Sequence, residues 1–141
     1  MTISVGPAPY SQPQTTFTSI RAFSGASADS AGLPSSGDMV TVAGLPSRNG
    51  TPSIVEFLVE NGGANPSTTG SPTSVILKIY RRVGGYITLI YTWVISQTDL
   101  TNSDLVPILV EGYASEYYVK LSFSGGASPT FTGTVRARAV E

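Results

Sequence analysis

Hydrophobic and polar positions are most strongly organised between Ser74 and Ser96, where the chain reads SVILKIYRR-VGG-YITLIYTWVIS. Two runs rich in β-branched and aromatic residues flank Val83-Gly84-Gly85, which predicts a β-hairpin turning at the glycines. On the first strand Val75, Leu77 and Ile79 alternate with Ile76, Lys78 and Tyr80. On the return strand Ile87, Leu89, Tyr91, Trp93 and Ile95 share one face, and Tyr86, Thr88, Ile90, Thr92 and Val94 the other. Both faces are largely apolar, as in strands covered on two sides. One cover would be a second sheet, the other a loop or another subunit.

The same period of two marks further strands. Thr15–Phe23 is a strand with no cleanly apolar face, which predicts an edge or a partner-contacting position. Met39–Leu45 and Ser53–Val59 are strands separated by a turn at Asn49-Gly50. Val55, Phe57 and Val59 form the expected core face of the second, with Ile54, Glu56, Leu58 and Glu60 opposite. Leu105–Val110 carries Pro107, which cannot donate to a ladder and so predicts an edge strand or a bulge. Glu116–Phe123 places Tyr117, Val119, Leu121 and Phe123 together, against Tyr118, Lys120 and Ser122. Thr130–Val140 alternates most cleanly, with Phe131, Gly133, Val135, Ala137 and Ala139 on one side. These eight runs, with no helical period, predict an all-β, antiparallel two-sheet sandwich; a jelly roll is one way to connect it.

Between the strands lie two long polar segments, Ser24–Asp38 and Asn61–Thr73, read as loops, and a turn at Gln97–Asp104 with Asx-type bonds. Asp29 and Asp38 in the first loop are too far apart to make a calcium loop. Residues 1–14 carry Pro7, Pro9 and Pro13 and are expected to be extended. Their Ile3, Val5 and Tyr10 would gain by lying on an apolar surface. The expected organisation is therefore an N-terminal arm over 1–14 and one β-domain over 15–141.

Composition narrows the chemistry. The 141 residues contain no cysteine and no histidine, which removes disulfides, thiolate chemistry, the commonest general base and the commonest zinc ligand. Charged residues are 12% and the net charge is −1, so nothing draws nucleic acid or an anionic membrane electrostatically. No run approaches the roughly 18 apolar residues of a membrane helix. The N-terminal stretch lacks the features of a secretory signal, and synthesis in a cytoplasm as a soluble chain is expected. No phosphate-binding glycine motif and no nucleophile elbow is present. Expected catalytic residues, cofactors and metals are none.

Three residue sets remain as candidates. Glu56 with Glu60, or Glu111 with Glu116, could be the two carboxylates of a glycosidase, but a solvated strand face explains them as well. Arg81, Arg82, Arg136 and Arg138 read either as an edge-protecting solvent face or as a basic patch for a carboxylate-bearing protein surface. Tyr113, Tyr117 and Tyr118 cluster near a loop and would serve a glycan if exposed; as strand aromatics they belong to a core.

In style the chain resembles the capsid decoration, or cement, proteins of tailed phages. The resemblance rests on the proline-bearing arm at 1–14, the small-residue loops at 24–38 and 61–73, and the strand-rich half from 74 to 140. It implies a non-enzymatic β-sandwich, synthesised in a host cytoplasm and located on the virion capsid surface. Its implied partners are copies of itself, a trimer by preference, and a major capsid protein, with no nucleic acid, membrane or small-molecule substrate. The candidate contact residues are then Ile3, Val5, Tyr10 and the four arginines. The competing expectations are a carbohydrate- or receptor-binding module using Tyr113, Tyr117 and Tyr118, and a tail, neck or baseplate component.

Overall fold

The structure, a computed structural model, describes residues 17–34, 40–41, 53–83, 85–96, 99–101, 105–110 and 116–139. Ile3, Val5, Tyr10 and Tyr113 lie outside the described residues, as does the expected arm.

Seven long strands and two short ones are described: β1 (Thr18–Ala26), β2 (Val40–Thr41), β3 (Ser53–Glu60), β4 (Ser67–Thr69), β5 (Ser74–Val83), β6 (Tyr86–Ser96), β7 (Leu105–Val110), β8 (Glu116–Ser124) and β9 (Thr130–Ala139). They form two antiparallel sheets. One has the order β1-β9-β3-β7, with β4 also on β9; the other has the order β2-β8-β5-β6. The expected all-β sandwich is what the chain adopts. Each expected strand has its counterpart. The segment at 61–73 departs from a plain loop, since it contains β4. That short strand continues along β9 where β3 stops, after a tight excursion closed by the Asn61–Ala64 bridge.

The pairing is nested. β1 pairs with β9, β2 with β8, β3 with β7 and β5 with β6, so pairs enclose one another around the innermost hairpin. Val83 pairs with Tyr86, leaving the two-residue connection that Gly84-Gly85 predicts. β7 is an edge strand, which accommodates Pro107. β1 is also an edge, as its mixed faces suggest.

The inner faces of the two sheets meet in one core. From the first sheet come Ile20, Phe23, Val55, Phe57, Val59, Phe131, Val135 and Ala137; from the second, Val75, Leu77, Ile79, Trp93, Ile95, Tyr117, Val119 and Leu121. Burying an aliphatic or aromatic side chain contributes about 1.5–3 kcal/mol, so this interdigitated layer dominates stability. Edge-to-face ring pairs, Phe23 with Phe131 and Phe57 with Tyr117, join strands within the layer and across it. Leu100 seals one end from a single 3-10 turn (Asp99–Thr101), whose Asp99 N–H donates to Ser96 Oγ at 3.1 Å.

Two β-bulges change which side chains face inward. In β1 the register against β9 shifts between Ser19 and Arg21, which places Ile20 and Phe23, of opposite parity, both in the core. In β6 the shift falls opposite the Ile79–Tyr80 step: Tyr91 pairs with Ile79, Leu89 pairs with Tyr80, and Ile90 is the extra residue. Ile90 packs against the core while Leu89 is exposed. The single face expected for Ile87, Leu89, Tyr91, Trp93 and Ile95 is therefore broken at Ile90, because one added residue reverses the alternation beyond it.

Candidate functional site

The four arginines do not form one patch. Arg136 and Arg138 stand on the outer face of the first sheet, each beside a glutamate of β3. Arg136 Nε donates to Glu60 Oε1 at 2.6 Å, and Arg138 Nε donates to Glu56 Oε2 at 3.0 Å. Arg136 also reaches Ser19 Oγ, and the Arg138 guanidinium lies 4.6 Å from the centre of the Phe17 ring. Cross-strand register explains the pairing, since Glu56 lies directly opposite Arg138 and Glu60 lies one diagonal step from Arg136. These charges are matched within the sheet, so the basic-patch reading of this pair gives way to an ion-paired face.

The same pairs engage the two carboxylates, Glu56 with Arg138 and Glu60 with Arg136. The Gly63 backbone N–H donates to Glu60 Oε2 at 2.5 Å. That bond, with the one from Arg136, holds the Glu60 carboxyl below its ordinary range. A glycosidase acid needs the opposite shift. Glu111 lies outside the described residues, and Glu116 opens β8.

Arg81 and Arg82 end β5 on the second sheet. Arg81 is half-buried, and its register partner on β8 is Tyr117. Arg82 is engaged within the chain. Of the tyrosines named for the alternative, glycan-binding reading, Tyr117 is in the core and Tyr118 is packed on the opposite face of β8, each about fully covered, in the positions that strand aromatics favour. Neither ring is presented to solvent.

Two features were not anticipated. The first is a node at the open side of the sandwich. Arg21 on β1 donates a fork to Asp29, at 2.7 and 2.9 Å, and a third bond to Val119 O at 2.7 Å. Asp29 in turn takes the place of a strand partner on β8 beyond the end of the short β2: its N–H donates to Leu121 O at 2.9 Å, and its Oδ2 accepts from Leu121 N–H at 2.7 Å. Burial alone would raise the Asp29 pKa, but bonds from Arg21 and Leu121 and the charges of Arg21 and Lys120 outweigh it and hold it low. The Asp29 carboxylate is thus committed to tying the two sheets together.

The second is the apolar edge of β6. Tyr86, Leu89, Tyr91 and Val94 are all exposed, Tyr86 by 82%. β6 terminates its sheet, and among the described residues no strand pairs with its outer side. Its eleven residues contain no charge and no proline. The hairpin expected to be covered on both faces is partly so at β5, where Tyr80 is buried and Lys78 exposed, and not at β6.

The geometry defines an all-β sandwich with an ion-paired outer face on one sheet and an apolar, unpaired edge on the other. Comparison of the chain with family models, with curated proteins and with solved structures found no match.

Proposed function

We propose that the chain is a non-enzymatic structural protein that assembles on a larger protein surface, in the manner of a virion capsid decoration protein. The observation that carries this is the β6 edge. Natural sheets protect their edges with charge, proline or bulges, because an unpaired row of N–H and C=O groups templates association. β6 has neither charge nor proline, and its one bulge leaves Tyr86, Leu89, Tyr91 and Val94 open to solvent. An uncharged strand of this kind meets no like-charge repulsion from a copy of itself, and its apolar side chains gain by burial. The β6 edge is thereby offered to another surface of a second copy, as a three-fold ring requires, or to a capsid protein.

The nested strand pairing supports the same reading. Strands paired in this nested way are what one long hairpin rolled up would give, and on our reading the sandwich is connected as a jelly roll, an arrangement that recurs in viral capsid and lectin domains. The shell as the larger surface comes from the resemblance in the arm, the loops and the strand-rich half.

Sedimentation of the full chain, alone and with expanded capsid shells, tests the proposal. A mass that is a multiple of the 14.7 kDa protomer, three being the expected number, is the outcome anticipated, with co-sedimentation on shells. Leu89→Lys and Val94→Lys, both at exposed positions, should abolish both while preserving the fold by circular dichroism. A wild-type chain that stays monomeric and leaves shells unoccupied refutes the proposal.

A further inference from the structure

We propose that the outer face of the second sheet carries a binding site for a small oxyanion, a carboxylate or phosphate group on a compact organic body, held between Lys78 and Lys120. The site does not depend on the assembly reading.

Lys78 on β5 and Lys120 on β8 are directly opposite one another in the ladder. Side chains in such positions have Cβ atoms about 4.5–5.5 Å apart, and like charges there are unfavourable. Both lysines line one cavity of about 400 Å³, together with Tyr80 and the segment from Asp29 to Leu33 that folds over it. Lys120 is buried, with 7% exposure, while Lys78 opposite it is exposed at the mouth of the cavity. One of the three Lys120 N–H bonds reaches Ser30 O, at 2.9 Å. No second acceptor is present among the described residues. Lys78 has no ion pair among them. The one acid in the cavity wall, Asp29, is occupied by the Arg21 fork and by Leu121 N–H.

An ammonium on a buried residue, with donors to spare and a second lysine directly opposite, is stabilised by an anion that accepts from both. An oxyanion can accept from both lysines at once. The cavity is larger than a single ion requires and falls within the range of small-molecule clefts, about 300–1,000 Å³. Its wall includes the Tyr80 ring and Leu33, which suit an organic body attached to the anionic group.

The test is nitrogen-15 correlation spectroscopy of the full chain, titrated separately with inorganic phosphate and with glutarate at constant ionic strength. Saturable shifts confined to the amides of residues 29–33, 78 and 120–122 are expected. Lys78→Gln should weaken binding about tenfold, the effect of losing one charge-assisted bond. Lys78→Glu should abolish binding and raise the melting midpoint, because it replaces the repulsion by an internal ion pair. Response to phosphate alone assigns a phosphoryl ligand, to glutarate alone a carboxylate ligand, and to both a general oxyanion site. Absence of saturation with either, shifts that map elsewhere, or unchanged binding in Lys78→Glu overturns the proposal.

Discussion

At the scale of single residues, two groups carry measurable signatures. Tyr117 is fully buried, and its hydroxyl finds no hydrogen-bond partner among the described residues. An unsatisfied buried hydroxyl costs about 1–3 kcal/mol, so Tyr117→Phe should stabilise the protein by about 1 kcal/mol in urea unfolding. Burial also pushes the Tyr117 pKa up to about 12, against a smaller opposing effect of the Arg81 charge. A phenol that ionises more readily in the unfolded chain destabilises the fold as pH rises from about 10 toward 12. The Phe variant should lose that decline. Asp29 behaves in the opposite sense. Its pKa is lowered in the fold, so its contribution is complete above the ordinary value of 3.8 and drains away as pH falls below it. Asp29→Asn should cost about 2 kcal/mol at neutral pH, because it breaks the fork from a partly buried arginine. It should also flatten the acid limb of the stability profile.

At the scale of elements, what the sequence reveals and what it hides have a common physical cause. Alternation of period two is a local property, and it located β3, β5, β8 and β9 with their inner faces correct. The Phe131-Gly133-Val135-Ala137 stripe is buried as expected. The bulges at Ile20 and Ile90 were not legible, because an extra residue is defined by the register of the neighbouring strand and leaves no mark in its own sequence. The same limit hid the facing of Lys78 by Lys120. Each is a lone polar residue in an apolar run, and only the pairing of β5 with β8 brings them together. Glu56 and Glu60 read as a solvated face for want of the β9 register that sets arginines beside them. The Ile90 bulge can be examined directly. Deleting Ile90 joins Leu89 to Tyr91 in a regular ladder, so the fold should persist with a loss of about 1 kcal/mol for a half-buried side chain. The straightened edge should aggregate more readily, as light scattering would record.

At the scale of the whole molecule, the two sheets differ in what they expose. The first sheet presents ion pairs that are satisfied within the chain, through Glu56, Glu60, Arg136 and Arg138. The second ends in an apolar strand that is not satisfied. Under the proposed function, contact with other proteins falls to the β6 side. Salt provides a check on this division. Association driven by the apolar edge should persist or strengthen in high salt, whereas association through arginines would weaken. Sedimentation at two ionic strengths separates them.

The nested pairing has a consequence for synthesis. β9 lies between β1 and β3, so the first sheet has a gap at its centre until residues 130–139 have left the ribosome. The β5–β6 hairpin can close early, because its partners are neighbours in the chain, while β1 must wait for a strand more than a hundred residues away. A nascent chain therefore carries β6 on an unfinished body from the emergence of residues 86–96 until β9 follows, when chaperone capture should be greatest. Ribosome-stalled chains ending before Thr130 should be protease-sensitive throughout, and protection should arise in one step once β9 emerges.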